Sequence, residues 1–170
     1  ETTKTLGKAD VMKVGIASVI YAAMQLANED NIKYFFTGLG SEEIFAGYQR
    51  HELSQDINKE CWQGLSAMYE RDIERDLKIA AKFKAKVLVP FLDRELIINA
   101  MNLPAEQKIK DGQNKCILRE IAKDLGLKKE FAERKKRAAQ YGSKFDRAIL
   151  RLARREKIKY KKEYLQKFLK

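Results

Sequence analysis

Residues 32–48 have the sequence IKYFFTGLGSEEIFAGY, and this stretch decides the fold class. Residues 32–37 are short, aromatic and β-branched, which is typical of a buried strand. Gly38 and Gly40 then allow a tight turn, and the apolar residues that follow return at helical spacing. We therefore expect a strand, a glycine turn and the start of a helix, with Ser41 at the N-cap position.

The flanking segments place this unit in an α/β domain. Residues 8–28 have one wide apolar stripe at helical spacing. Residues 87–92 form a second short apolar run, in which Pro90 lies at or beyond the end of the expected strand. Asp93 is expected to cap a further helix, and residues 115–125 repeat the helical period. Because two parallel strands do not make a stable sheet alone, we predict the C-terminal part of a doubly wound parallel-sheet α/β domain.

The chain has 170 residues, enough to bury a core, and a formal net charge of +11. Its first residue is Glu1 rather than Met, and no signal sequence follows, so we expect the N-terminal half of the same domain to be a missing partner.

No apolar run approaches the ~20 residues of a membrane span, so we expect no membrane contact. Cys61 and Cys116 have no second ligand at metal spacing, which favours reduced thiols in a cytoplasmic protein.

The positive charge is concentrated at the C-terminus. Residues 1–127 have a net charge of −1, whereas residues 128–170 have a net charge of +12. We expect one domain over residues 1–143 and a basic amphipathic helical tail over residues 144–170. Such a tail either binds the phosphates of nucleic acid or presents a solvated lysine face while its apolar side packs on the domain.

The glycine turn also suggests chemistry. A turn of this kind presents backbone amides at a helix start, and the acidic pair Glu42 and Glu43 can hold a hard cation, so the segment suits Mg²⁺ with a polyphosphate. A capped helix after an ordinary turn explains the same residues without any ligand.

Four motifs in register carry a resemblance. Residues 37–48 resemble the S-G-E-G-S-D-E-[LI]-F-x-G-Y signature of the asparagine synthetase family of ATP pyrophosphatases. Residues 89–93 are similar to its V-P-F-L-D, residues 115–120 to its K-x-x-L-R-E, and residues 134–136 to its R-x-K. The resemblance covers roughly residues 8–149 and leaves the final basic helix outside.

The resemblance implies a nucleotide α-hydrolase fold and an ATP-dependent, AMP-forming amide ligase that requires Mg²⁺. A carboxylate substrate is adenylated, and an amine or ammonia then displaces AMP. A glutaminase domain or subunit is a possible source of the ammonia. Matched position by position, the family implies Glu42 as the metal ligand and Lys136 as the catalytic cation for pyrophosphate. Glu43, beside the metal ligand, is expected to be a second catalytic residue. The remaining matches are expected to bind the nucleotide: Thr37, Gly38, Gly40, Ser41 and Arg134.

Three departures from the family pattern modify that expectation. Leu39 stands where the family has an acid, and residues 86–88 replace its E-x-R, so the acceptor need not be aspartate. The S-G-G-x-D-S loop that wraps the ATP phosphates is absent from these residues. The alternative function is a non-catalytic homologue whose basic tail binds nucleic acid or a partner protein.

Other prominent residues are expected to be structural. His51 is expected to be a surface or capping residue, and the charged residues 70–78 are expected to form a solvated helix face. Trp62, Met68 and Tyr69 are expected to pack in the core.

Overall fold

The computed structural model describes residues 1–169, and these form two compact units that alternate along the chain. The first unit is made of Glu1–Phe35, Ile73–Val87 and Lys136–Lys170, and the second of Phe36–Asp72 and Leu88–Lys135.

The described residues are mostly helical, with a few short strands. The helices are α1 (Thr2–Leu6), α2 (Val11–Glu29), α3 (Ser41–Ile44), α4 (Gln49–Glu52), α5 (Ile57–Ser66), α6 (Glu74–Lys82), α7 (Arg94–Met101), α8 (Ala105–Lys108), α9 (Cys116–Asp124), α10 (Lys129–Ala132), α11 (Ala139–Gly142), α12 (Phe145–Arg155) and α13 (Lys161–Gln166). The strands are β1 (Tyr34–Phe36), β2 (Lys86–Leu88), β3 (Ile109–Lys110) and β4 (Gln113–Asn114). A π-helical turn, Tyr69–Ile73, leads into α6, and 3₁₀ turns span Pro90–Leu92 and Lys167–Leu169.

Strands β1 and β2 form a two-stranded parallel sheet, as the sequence predicts. The Lys86 amide donates to the Lys33 carbonyl at 2.7 Å, and the Thr37 amide donates to the Leu88 carbonyl at 2.9 Å. The prediction that the first strand is buried is wrong for one face, because Tyr34 and Phe36 are 59% and 77% exposed. Only the opposite face of β1 has a core to pack against among the described residues.

The first unit is held by one apolar core. Helix α2 packs against α6, α11, α12 and α13, and α1 packs against α2 and α6. Val14, Met24 and Ile79 lie in the centre of this core, and each is at most 2% exposed. Asp10 caps α2 by accepting a hydrogen bond from the Lys13 amide at 2.9 Å. The predicted helix over residues 8–28 is therefore confirmed as a core helix.

The basic tail contributes to this same core. Ile149 and Ala153 of α12 and Tyr164 and Leu165 of α13 are all buried in it. The apolar side of the tail therefore packs on the folded chain while its charges face outward. The boundary between residues 143 and 144 stays a prediction.

Helix α2 also bears on membranes. Within the described residues it is the one helix long and apolar enough, by length and composition, to span a bilayer. The expectation that no apolar segment reaches that length is therefore wrong. A core helix meets the same criterion, and α2 supplies three buried residues, Val14, Ala17 and Met24, to the core of the first unit.

The second unit has a separate core, a capped helix and a short β-hairpin. Ile44, Cys61 and Met101 lie at its centre. The Asp93 carboxylate accepts hydrogen bonds from the amides of the first turn of α7, which confirms the predicted cap. A short antiparallel hairpin, β3 with β4, precedes α9 and has no counterpart among the predicted elements.

Several residues predicted to be buried are exposed, and several predicted to be exposed are buried. Met68 is buried as expected, but Trp62 and Tyr69 are 49% and 59% exposed, so their assignment to the core is wrong. The charged residues 70–78 are not all a solvated face. Arg75 and Asp76 are both buried, and they form an ion pair at 2.6 Å.

Candidate functional site

The glycine turn after β1 begins a single short helical turn. Gly40 is the residue before α3, and its φ of +96° lies in the region that favours glycine. Ser41 is therefore the first residue of α3, not its N-cap, and the predicted cap position is wrong by one residue. The Ser41 hydroxyl instead donates to the Gly38 carbonyl at 2.8 Å and closes the turn.

The V-P-F-L-D segment packs directly against this turn. A methyl group placed on Gly40 would lie 2.6 Å from Cδ2 of Leu92 and 3.1 Å from the carbonyl oxygen of Phe91. A side chain at position 40 would force Leu92 to shift, and the positive φ would strain its backbone as well. The segment of residues 89–93 thus contacts the glycine turn, although about 50 residues separate the two motifs in the sequence. Glycine at position 40 leaves the space for this contact.

Glu42 and Lys115 form the central charged contact of the turn. Nζ of Lys115 lies 2.7 Å from Oε1 of Glu42 and donates to the Ser41 hydroxyl at 3.1 Å. Both side chains are about one fifth exposed, at 18% for Lys115 and 21% for Glu42. The structure thus brings the first lysine of the K-x-x-L-R-E motif onto the predicted metal ligand.

Gly47 forms the floor beneath this ion pair. A methyl group at Gly47 would overlap Oε2 of Glu42 and would lie 2.5 Å from Cε of Lys115. The backbone at position 47 therefore fixes where both charged ends can lie. The final glycine of the signature has a steric purpose that its spacing alone does not reveal.

The turn leaves some backbone donors for a ligand. The amides of Ser41, Glu43 and Ile44 donate to carbonyls inside the turn. Among residues 1–169, the amides of Gly38 and Gly40 donate to no protein group. Thr37 adds a side-chain contact, because its hydroxyl accepts a hydrogen bond from the Leu39 amide at 3.4 Å.

Glu43 occupies a different environment from Glu42. It is 1% exposed and forms an ion pair with Arg71, and a hydrogen bond from Tyr48 also reaches it. Burial raises the pKa of the Glu43 carboxyl, and the nearby Arg71 guanidinium opposes that rise. The pair anchors the first turn of α3 from within the second unit. The catalytic role of Glu43 stays a prediction.

His51 lies inside the second unit, so the prediction of a surface residue is wrong. It is fully buried, and its Nδ1 accepts a hydrogen bond from the Tyr48 amide at 3.1 Å, which is the capping contact that the prediction also allowed. Burial, helped by the charge of Arg50, lowers the pKa of His51 to about 4. His51 is therefore neutral at pH 7 and is not a titrating base there.

Arg119 connects the K-x-x-L-R-E motif to the R-x-K segment. Its Nε donates to the Asn114 carbonyl at 2.8 Å, and its Nη1 donates to the carbonyls of Ala132 and Arg134. One side chain therefore fixes both the start of α9 and the backbone of Arg134. Lys136 follows two residues later, is exposed, and belongs to the first unit. The roles of Arg134 and Lys136 stay predictions.

Lys115 is the site residue that sequence reasoning missed. The sequence places it first in the K-x-x-L-R-E motif but predicts no role for it. Its position in that motif is the one signal in the sequence that points to it. Its backbone has a φ of +59°, which is unusual for lysine and directs the chain into α9.

The profile of the asparagine synthase family matches residues 50–169. The chain belongs to the asparagine synthase family. The match includes α12 and α13, so the expectation that the final basic helix lies outside the family region is wrong. The asparagine synthase family uses ATP.

Relatives of known sequence agree with this assignment. The chain is 30% identical to "Putative asparagine synthetase (glutamine-hydrolyzing) 1" of Methanocaldococcus jannaschii, over 99% of this chain and 38% of that protein. It is 31% identical to human asparagine synthetase domain-containing protein 1, over 78% of this chain and 21% of that protein. It is 30% identical to "Probable asparagine synthetase (glutamine-hydrolyzing)" of Dictyostelium discoideum, over 64% of this chain and 20% of that protein. The chain thus spans well under half the length of these relatives.

The donor set of the site decides which metal species it can accept. Among residues 1–169, no group of three or more His, Cys, Asp or Glu side chains comes together to hold a metal ion. Glu42 offers one partly exposed carboxylate, fixed by Lys115 and by the floor at Gly47. Mg²⁺ in nucleotide sites is held by one or two carboxylates together with phosphate oxygens and water. The residues therefore fit Mg²⁺ that arrives with a polyphosphate rather than a resident ion.

Proposed function

We propose that this chain forms the C-terminal part of an ATP-dependent, AMP-forming amide ligase with a nucleotide α-hydrolase fold. The observation that carries the proposal is the contact of Lys115 with Glu42 and Ser41 at the glycine turn. This contact brings together an ammonium group that can bind an anion, a carboxylate that can bind a cation, and a hydroxyl group. That combination suits a magnesium polyphosphate, which presents both charges at once.

Each group of the site has a separate task in this proposal. Glu42 would hold Mg²⁺, which would supply charge neutralisation for the departing pyrophosphate. The ammonium of Lys115 moves from Glu42 to a phosphate oxygen, so that the ion pair of the free site is exchanged for two ligand contacts. The amides of Gly38 and Gly40 donate to the pyrophosphate, with Thr37 and Ser41 shaping the turn. Lys136 and Arg134 neutralise the charge that develops as pyrophosphate leaves.

The contacts of Glu43 and Arg119 support a positioning task for both. Glu43 is buried against Arg71 and holds the first turn of α3, so Glu42 projects from a fixed backbone. Arg119 holds the carbonyls of Ala132 and Arg134, so the R-x-K segment starts from a fixed point. Positioning of this kind matters because misplacement by about 1 Å can cost about 100-fold in rate.

The rest of the ligase is also part of the proposal. The S-G-G-x-D-S loop would come from an N-terminal half of the same domain, and ammonia from a glutaminase domain or subunit. The acceptor is a carboxylate that need not be aspartate, because Leu39 and residues 86–88 depart from the family pattern. The two cysteines are free and buried, which agrees with the proposed cytoplasmic location.

The test is Mg²⁺-dependent exchange of labelled pyrophosphate into ATP, measured on the protein with the upstream half of the domain present. Glu42→Gln keeps the shape of the side chain and removes its charge. We expect this variant to lower exchange by about 100-fold and to raise the Mg²⁺ concentration needed for half-maximal rate. Unfolding midpoints show whether the variant is folded.

Glu106→Gln is the matched control, because Glu106 is an exposed acid of the second unit with no ion pair among the described residues. We expect it to leave exchange within about twofold. Equal exchange by Glu42→Gln and the control would remove Glu42 from the site. No exchange by the unmodified protein with any carboxylate would support the non-catalytic alternative instead.

A further inference from the structure

Helix α12 presents a row of arginines that the proposed ligase does not use. The exposed side chains of this row line a groove of about 610 Å³ together with Leu150: Arg147, Arg151, Arg154 and Arg155. A helix rises about 1.5 Å per residue, so the row extends over about 12 Å, with successive turns about 6 Å apart. This surface is called the arginine row below.

The acids of α12 do not neutralise the arginine row. Asp146 is paired with Lys161, and Glu156 is paired with Lys167. Among residues 1–169, none of the four arginines takes part in an ion pair. Four like charges at this spacing repel one another unless an external anion compensates them.

The opposite side of α12 restricts what that anion can be. Ile149 and Ala153 are buried in the core of the first unit, at 7% and 0% exposure. A helix that binds a membrane surface must place its apolar face in the lipid, and this face is already occupied. The groove also has only Leu150 as an apolar side chain, which is little for the anchored centre of a protein interface.

We propose that the arginine row binds the phosphate backbone of a nucleic acid strand without regard to base sequence. A row about 12 Å long exceeds a single phosphate group and matches several anions in series. Arginine suits them because its planar guanidinium donates two parallel hydrogen bonds to a phosphate. This binding is separate from the glycine turn and does not depend on ligase activity.

The test measures fluorescence anisotropy of the 170-residue chain with a labelled single-stranded RNA about 16 nucleotides long. Four phosphate contacts on a single strand predict a loss of affinity of about 50-fold between about 50 and 200 mM KCl. The triple variant Arg147→Gln, Arg151→Gln, Arg154→Gln is expected to bind at least about 30-fold more weakly at the lower salt. Its affinity should then change only about threefold over the same salt range.

The matched control is Lys110→Gln, Lys128→Gln, Lys129→Gln, which removes the same charge from exposed lysines of the second unit. We expect this variant to bind RNA within about threefold of the unmodified chain. Equal losses in the two triple variants would overturn the proposal, since net charge alone would then explain binding. Affinity independent of salt would overturn it as well. The unfolding midpoint of both variants verifies that they are folded.

Vesicles of phosphatidylcholine with phosphatidylserine separate the two sources of phosphate. We expect the unmodified chain to show no binding to them at the salt concentrations at which it binds RNA. Vesicle binding that the arginine variant loses and the lysine variant keeps would assign the row to a lipid surface and would overturn the nucleic acid assignment.

Discussion

The two units of this chain differ in what their interiors contain. The first unit encloses an apolar core around Val14, Met24 and Ile79, and its buried charges, Arg75 and Asp76, are paired with each other. The second unit encloses a smaller apolar core together with buried ionisable groups. Three of these are Glu43, His51 and Lys108, each at most 1% exposed.

The second unit buries polar atoms that have no hydrogen-bond partner within residues 1–169, which lowers the stability of the fold. Nζ of Lys108 and Nε2 of His51 are buried without a hydrogen-bond partner among the described residues, and burial lowers the pKa of Lys108. Such groups destabilise a fold, and the first unit has fewer of them among the described residues, namely Oε1 of Gln140. The second unit also contains the glycine turn, where Glu42 and Lys115 must be held at fixed positions. The second unit thus holds these charged groups in place at an energetic cost.

The largest expected effect comes from breaking the buried ion pair of the second unit. Arg71→Ala leaves the Glu43 carboxylate buried without its cation, so we expect a loss of about 4 kcal/mol in the free energy of unfolding at pH 7. Denaturant unfolding measures it. The loss should shrink at lower pH, because protonation of Glu43 removes the uncompensated charge.

Arg94→Ala is the control for this prediction, since Arg94 is exposed and has no ion pair among residues 1–169. We expect it to change stability by less than about 0.5 kcal/mol. A similar, pH-independent loss in both variants would contradict the contrast between the two units, because the ion pair would then contribute nothing special.

The next effect is the pH dependence that His51 gives to the second unit. Its pKa is about 4 in the folded chain and 6.5 in the unfolded chain, so the unfolded state binds more protons between these values. Stability is therefore complete above pH 6.5 and falls as the pH is lowered toward 4, by about 3 kcal/mol from this group.

His51→Asn should remove that slope, because asparagine does not titrate and its carbonyl can still accept from the Tyr48 amide. His51 is the only histidine of the chain, so no second imidazole masks the change. Burial raises the pKa of Glu43, which gives a slope of opposite sign that both proteins share. An unchanged slope in the variant would show that His51 titrates normally and is accessible to water.

Local patterns predicted much of the fold. The helical period of residues 8–28, the Asp93 cap and the strand end at Pro90 all depend on near neighbours, and the structure agrees with each. The two errors at Trp62 and Tyr69 have a different origin. An aromatic residue in an amphipathic helix can face either side, and only the tertiary contacts decide which side is buried.

The candidate site was only partly predictable for the same reason. The motif at residues 37–48 marked the glycine turn, but Lys115 reaches Glu42 from about 70 residues away in sequence. No periodicity encodes that contact. The burial of His51 and the Arg71 pair of Glu43 likewise depend on which helices surround α3 and α4, so composition could not distinguish them from surface charges.

Lys136 is the cation that the family resemblance implies for pyrophosphate, and its role is a prediction. We expect Lys136→Ala to lower pyrophosphate exchange by at least about 100-fold, equivalent to about 2.7 kcal/mol of transition-state stabilisation. Its exposure predicts almost no change in unfolding midpoint. Lys135→Ala, an adjacent exposed lysine, should stay within about threefold, and unchanged exchange in Lys136→Ala would remove Lys136 from the proposed mechanism.

The smallest expected effect comes from a substitution in the apolar core of the first unit. Ile79 is fully buried in the core of the first unit, so Ile79→Val removes one buried methylene and should cost about 1 kcal/mol. Ile121→Val makes the same change at a residue 46% exposed and should cost less than about 0.3 kcal/mol. The loss in Ile79→Val should be constant from pH 4 to pH 8, because the substitution removes only an apolar group and leaves the buried ion pair of Arg75 and Asp76 in place. A loss that varies with pH would mean that this core is coupled to titrating groups, and the contrast between the two units would not hold.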